Sequence, residues 1–146
     1  MGLVYAEIDL TSEDDLTFAR YGKLPHEEVR TVKVRALVDS GAWDLVITEE
    51  IRKQLGLPIV GKRLVQMADD TLMEVDLAGP IEVRFENRET LVRSAVVMPT
   101  TSLVLLGAYP MEGLDVFIDP TREKLIVNPD APDIPIRFLK RASLSI

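Results

Sequence analysis

The 146-residue chain has no cysteine and a single histidine, His26. The first absence excludes disulfides, thiolate metal sites, iron–sulfur clusters and Cys nucleophiles. The second rules out a multi-histidine zinc site within one chain and argues against a Ser/His/Asp triad. Positive charge is scarce: 17 Lys+Arg against 24 Asp+Glu give a net charge of −7. Nucleic acids and anionic membranes demand clustered Lys and Arg, so neither is expected as a partner. Long apolar runs are missing too, and the stretch from Leu103 to Tyr109 falls far short of the ~20 residues of a membrane helix. The start of the chain has no basic segment followed by an apolar one, so no secretory leader is expected. Ala6 stands where a myristoylation signal wants Ser or Thr. A cytoplasmic location follows as the expectation. What is present, 47% hydrophobic and 28% charged residues, suffices for one core and one domain spanning 1–146.

Period-two patterns dominate. Val4, Ala6, Ile8 and Leu10 alternate with Tyr5, Glu7 and Asp9, which predicts a half-buried strand. Residues 11–27 carry Ser12, Asp14, Asp15, Gly22 and Pro25 without a period, so a surface loop is expected there. Alternation returns at Val32, Val34, Ala36 and Val38 and runs into Asp39-Ser40-Gly41, a turn sequence. After the short run Leu45-Val46-Ile47 comes the one expected helix, near 48–55. Thr48 can cap it, Ile51 and Leu55 share a face, Gly56 fits the left-handed terminus and Pro58 bars continuation. Three hairpins are predicted around Asp69-Asp70, Asn87-Arg88 and Pro120-Thr121-Arg122, and prolines stiffen an extended tail over about 129–146. Many short strands with one helix mean an all-β fold, a small closed barrel.

Most chemical motifs are missing: there is no dinucleotide-binding glycine pattern, P-loop or nucleophile elbow. Asp14-Asp15 and Asp69-Asp70 read as ordinary turn acids with no metal implied, and His26 as a solvated loop residue. Arg137, Lys140 and Arg141 form a small basic tail, too sparse for nucleic acid. One segment differs: Ala36-Leu37-Val38-Asp39-Ser40-Gly41-Ala42. A carboxylate that follows a buried strand and precedes a Ser-Gly turn lies at the rim of a core, where apolar neighbours disfavour charge. Gly41 permits close backbone approach, and Ser40 can hydrogen-bond locally.

This segment resembles the active-site loop of the retropepsin-like (retroviral-type) aspartic proteases: an apolar run, Asp-Thr/Ser-Gly-Ala, then a short apolar strand, here Leu45-Val46-Ile47. The late apolar-apolar-Gly triplet of that family is similar to Leu105-Leu106-Gly107. More closely, the chain resembles small bacterial members, through Ala36–Ala42, Leu106-Gly107-Ala108 and Ile118-Asp119-Pro120 to Asn128-Pro129. The resemblance implies an aspartic endopeptidase with Asp39, Ser40 and Gly41 as catalytic residues and no cofactor. It also implies a peptide or protein substrate contacting Ala42 and a flap hairpin whose tip is Ala68-Asp69-Asp70-Thr71. That tip departs from the glycine-rich retroviral flap and adds negative charge over the cleft. One Asp-Ser-Gly per chain implies a homodimer, since Asp115 and Asp119 lie in no comparable turn. Trp43 is expected in the core or at the dimer contact, with the cleft wall as the lesser alternative. The rival reading is an inert peptide- or protein-binding module on the same barrel.

Overall fold

A computed structural model of the chain describes residues 2–99 and 103–136. In chain order its elements are β1 (Val4–Ser12), α1 (Glu13–Arg20), a 3-10 turn (His26–Glu28), β2 (Thr31–Val38), β3 (Leu45–Thr48), α2 (Glu49–Leu55), β4 (Ile59–Gln66) and β5 (Leu72–Ala78). There follow β6 (Ile81–Phe85), β7 (Arg88–Val92), β8 (Ala95–Met98), β9 (Val104–Leu106), α3 (Ala108–Leu114), β10 (Val116–Asp119) and β11 (Lys124–Val127). Nine strands form one sheet in the order β4-β5-β8-β3-β9-β2-β1-β6-β7, and β10-β11 is a separate hairpin.

The alternation in β1 puts Val4, Ala6, Ile8 and Leu10 into the core, and the strand pairs antiparallel with β2 from Val4–Val38 to Thr11–Thr31. Ala36 and Val38 of β2, Leu45 and Ile47 of β3 and Leu106 of β9 join the same cluster. Burial of such side chains contributes roughly 1.5–3 kcal/mol each, which holds the curl of the sheet against the conformational entropy of its strands. α2 forms as its sequence predicts: the Thr48 hydroxyl accepts from the Ile51 N–H, and Gly56 ends the helix at φ 64°.

Three expectations need correction. The sheet curls into a half-barrel rather than a closed barrel, because β4 and β7 end it without pairing to each other. There are three short helices, not one. The supposed surface loop 11–27 holds the end of β1, α1 and the 3-10 turn. Ser12 caps α1 by accepting from the Asp15 N–H, and the buried positions of α1 are Asp15 and Ala19. An acid thus fills a place where an amphipathic pattern would have shown a hydrophobe. Asp15 is 5% exposed and takes three bonds from Arg30: from the backbone N–H at 3.0 Å, from Nε at 2.8 Å and from Nη2 at 3.0 Å. It is no ordinary turn acid. The bonds from Arg30 hold its carboxyl below the usual range, and burial opposes them.

The hairpins around Asp69-Asp70, Asn87-Arg88 and Pro120-Thr121-Arg122 form as expected, as β4-β5, β6-β7 and β10-β11. After β7, Arg93 and Ser94 separate the middle hairpin from β8, which pairs with β3 and β5. The basic tail residues Arg137, Lys140 and Arg141, with the rest of the tail beyond Ile136, lie outside the described residues.

Candidate functional site

β9 holds the site together. It lies between β2 and β3, parallel to the first with Val38 opposite Leu106, and antiparallel to the second with Leu45 opposite Leu106. The loop 39–44 joining β2 to β3 must therefore cross over the end of β9. The Asp39 N–H donates to the Leu106 carbonyl at 3.0 Å, and the Ala42 N–H to the Asp39 carbonyl at 3.1 Å. On the other side, the first N–H groups of α3 find their acceptors in the loop: Ala108 donates to the Ala42 carbonyl at 2.8 Å and Tyr109 to the Trp43 carbonyl at 2.9 Å. A helix start leaves such donors without intrahelical partners, so the loop and α3 satisfy each other. Gly107 makes this contact possible. A Cβ there would sit 2.3 Å from the Asp44 carbonyl oxygen and 2.7 Å from the Trp43 carbonyl carbon.

Asp39, Ser40 and Gly41 are exposed at the crest of this loop. Asp39 Oδ1 accepts from the Gly41 N–H at 2.9 Å, while Oδ2 has no hydrogen-bond partner among the described residues. The apolar rim expected around the carboxylate is only partial. Asp39 and Ser40 border a hollow of about 250 Å³ with Gly2, Leu3, Val4 and Ile118, and the remaining side is open to solvent. The Ser40 hydroxyl makes no hydrogen bond to the described residues, so the local bond expected of it is not made within the chain.

Ala42 leads into a groove of about 420 Å³ between the loop and the β4-β5 hairpin, walled by Trp43, Val65, Met67, Met98 and Leu105. Trp43 is not a core residue. It is 57% exposed, packs against Tyr109 with ring centroids 5.6 Å apart, and forms a wall of this groove. Arg63 of β4 donates to Asp44 at 2.9 Å, tying the base of the hairpin to the loop. The hairpin tip turns within itself: the Met67 N–H donates to the Thr71 carbonyl at 2.8 Å, and the Thr71 hydroxyl and N–H donate to Asp69 at 2.6 and 3.1 Å. The Thr71 hydroxyl and N–H hold the Asp69 carboxyl below its usual range. Asp70 adopts φ 66°. Ala68, Asp69 and Thr71 border a shallow depression with Met67 and Met73. The structure thus gathers Asp39, Ser40, Gly41 and Ala42 on one loop. It links Ala42 to the strands of the hairpin, and leaves the tip residues around their own depression.

The Arg63–Asp44 tie and the methionines Met67 and Met98 escaped the sequence reading, which held Trp43 as a cleft wall only as the lesser alternative. Period two in β4 puts Arg63 and Val65 on one face, with Met67 next in the alternation just past the strand, a usable signal. Which loop that face would meet is a long-range matter. Asp119 accepts from the Thr121 and Arg122 N–H groups in its own turn, whereas Asp115 accepts from the more distant Asn128 side chain and Ile136 N–H. Among the described residues no group of three or more His, Asp or Glu gathers as for a metal ion, and no helix is long and apolar enough to cross a membrane. No family model matches the chain, and no curated protein matches it.

Proposed function

We propose that the chain is a retropepsin-like aspartic endopeptidase that acts as a homodimer, with Asp39 from each copy forming the catalytic pair. One observation carries the reading: a crest Asp39 with one oxygen held by the Gly41 N–H and the other uncommitted among the described residues, beside a groove bounded by a two-stranded hairpin. A lone carboxylate of this kind cannot act as both base and acid, so the second comes from a symmetry-related copy. Two carboxyl groups ~3 Å apart cannot both ionise, so the pair holds one proton between them. The ionised one takes a proton from water as its oxygen attacks the scissile carbonyl, which the protonated one polarises. Proton return to the amide nitrogen then releases the amine as the C–N bond breaks. The peptide lies along Trp43, Val65 and Met67, with Ala42 at the entrance. No metal or organic cofactor enters these steps, and the working compartment is the cytoplasm.

A second reading has an observation of its own. The Asp39–Gly41 bond is an Asx turn, and the same loop would serve an inert module that grips a peptide in the Trp43 groove. Peptide-library cleavage by wild type and Asp39→Asn across pH separates the two. The expected result is cleavage by wild type alone, bell-shaped in pH, with specific activity falling on dilution toward the dimer dissociation constant. Asp39-dependent binding of a pepstatin-type inhibitor without cleavage points to the inert module. Full activity in a monodisperse monomer refutes the pairing.

A further inference from the structure

β4 ends the nine-stranded sheet, so one of its two edges has no neighbour among the described residues. The hairpin geometry fixes which backbone groups stand on that edge. The Met67 N–H donates to the Thr71 carbonyl, which makes Met67 and Thr71 a hydrogen-bonded pair, and such pairs alternate along an antiparallel ladder. With Val65 opposite Met73 and Arg63 opposite Val75, Arg63, Val65 and Met67 turn their backbone groups toward β5. Lys62, Leu64 and Gln66 turn theirs outward.

The side chains of these three lie on the face away from the groove, which Val65 and Met67 line. Leu64 is 61% exposed and Leu72 of β5 65%, one diagonal step apart because Leu72 stands opposite Gln66. The devices that guard a sheet edge are weak here. β4 holds no proline, and its two cations lean back over their own molecule, Lys62 to Asp76 and Arg63 to Asp44, each at 2.9 Å. A bulge between Ile59 and Gly61 ends regular pairing on one side, and the turn at Ala68 ends it on the other. The open segment is 62–66.

We propose that this segment pairs antiparallel with the same segment of a second copy, across a two-fold axis at Leu64. In that register the two Leu64 residues exchange N–H to carbonyl bonds, and Lys62 of each copy exchanges them with Gln66 of the other. The charges fit the axis. Arg63 stands opposite Val65, so no cation meets a cation. Lys62 stands opposite Gln66, whose Nε2 donates to Asp70 at 3.4 Å, so a carboxylate of one copy approaches the ammonium of the other. Leu72, Leu64 and their symmetry mates form one diagonal apolar band over four strands. A strand edge of this length covers less than the ~800 Å² per partner of a stable complex, so the association depends on concentration. It lies apart from the crest, leaves the Trp43 groove open and does not depend on whether Asp39 catalyses hydrolysis. Where crest pairing also holds, it joins dimers.

Amide hydrogen exchange of the full chain, dilute against concentrated, tests it, because pairing at the crest does not cover these amides. The N–H groups of Lys62, Leu64 and Gln66 are expected to exchange at least fivefold more slowly in the concentrated sample, and those of Arg63 and Val65 equally in both. Exchange of all five that ignores concentration overturns the proposal. Leu64→Lys sets two ammonium groups at the axis and is expected to abolish the concentration dependence, with the thermal midpoint of the dilute protein unchanged. A dependence kept by that variant overturns the pairing. Because the chain is cysteine-free, Leu64→Cys identifies the occupant: oxidation is expected to give an interchain disulfide. Leu91→Cys, comparably exposed at 53% on β7 at the other end of the sheet, is expected to give at most a fifth of that yield. Equal yields from the two overturn the proposal.

Discussion

Two Ser/Asp clusters flank β2, one at each end, and they behave differently. At the start of β2, Ser12 caps α1, and Asp15 is buried under a forked Arg30 that donates three bonds to it. At the end, Asp39 and Ser40 stand exposed on a crest, with a single bond from the Gly41 N–H between them and solvent. The backbone around the second cluster is the more tightly built of the two, braced by β9, α3 and the close approach of Gly107. The first cluster spends its polar groups on holding the fold. The second has a rigid frame and idle polar atoms, the arrangement expected of groups kept for a ligand.

Exchanging functional groups at the two ends should break the comparison in opposite ways. Asp39→Asn is expected to lower peptide cleavage by about 10²- to 10⁴-fold, the usual worth of a positioned base. Thermal unfolding should stay within ~0.5 kcal/mol of wild type, as for other exposed substitutions. Cleavage at the wild-type rate would remove the mechanism and leave the fold untouched.

At the other end, Arg30→Ala removes both guanidinium bonds from the buried Asp15 carboxylate and leaves it the backbone N–H of residue 30. The expected cost is about 1–3 kcal/mol in denaturant unfolding, allowing for screening of the half-exposed guanidinium, with activity per folded molecule unchanged. The pH dependence follows in sign. Asp15 has its folded-state pKa depressed, so its stabilisation is complete above the ordinary Asp range and drains away as pH falls through the lowered value. Asp15→Asn should flatten that acid limb, whereas Asp39→Asn should leave it as it is. Glu82 runs the other way. Burial first, and the neighbouring Glu89 second, push its pKa up, so its ionised form weighs against the fold at neutral pH. Glu82→Gln should raise stability there by a few tenths of a kcal/mol.

The same contrast explains which parts of the molecule could be read in advance. α2 was plain because Thr48, Ile51, Leu55 and Gly56 all agree on one local answer, and β1 and β2 because Val4, Ala6, Ile8 and Leu10 in the first and Ala36 and Val38 in the second are buried apolar positions at period two. α1 was hidden because its buried positions are an alanine and an aspartate, and the partner that makes Asp15 buriable, Arg30, lies 15 residues away. α3 was hidden by Pro110 and Gly113, and by an N-terminus satisfied by loop carbonyls instead of a capping side chain. Openness of the half-barrel depends on whether β4 meets β7, which no local pattern encodes. At the site, the Asp-Ser-Gly turn was readable as chemistry. Trp43 as a groove wall was only the lesser alternative in the sequence, since an indole's side is decided by what packs behind it, here Tyr109.

The smallest effects sharpen the comparison furthest, because they concern the same atom type in the two clusters. Ser12 Oγ accepts the Asp15 N–H at 3.2 Å in a buried setting, so Ser12→Ala should cost about 1 kcal/mol, the typical worth of an N-cap. Ser40 Oγ bonds to none of the described residues, so Ser40→Ala should shift unfolding by less than ~0.5 kcal/mol. Its effect should appear only in assembled, working protein. If the hydroxyl fixes the paired loops once two copies meet, activity should drop by roughly 2- to 10-fold, equivalent to the ~0.5–1.5 kcal/mol of one ordinary hydrogen bond, and far less than for Asp39→Asn. Unfolding curves beside cleavage rates for both alanine variants are the measurement. A Ser40→Ala chain that unfolds as early as Ser12→Ala would mean the crest hydroxyl is already spent on the monomer, and the distinction between the two clusters would not hold.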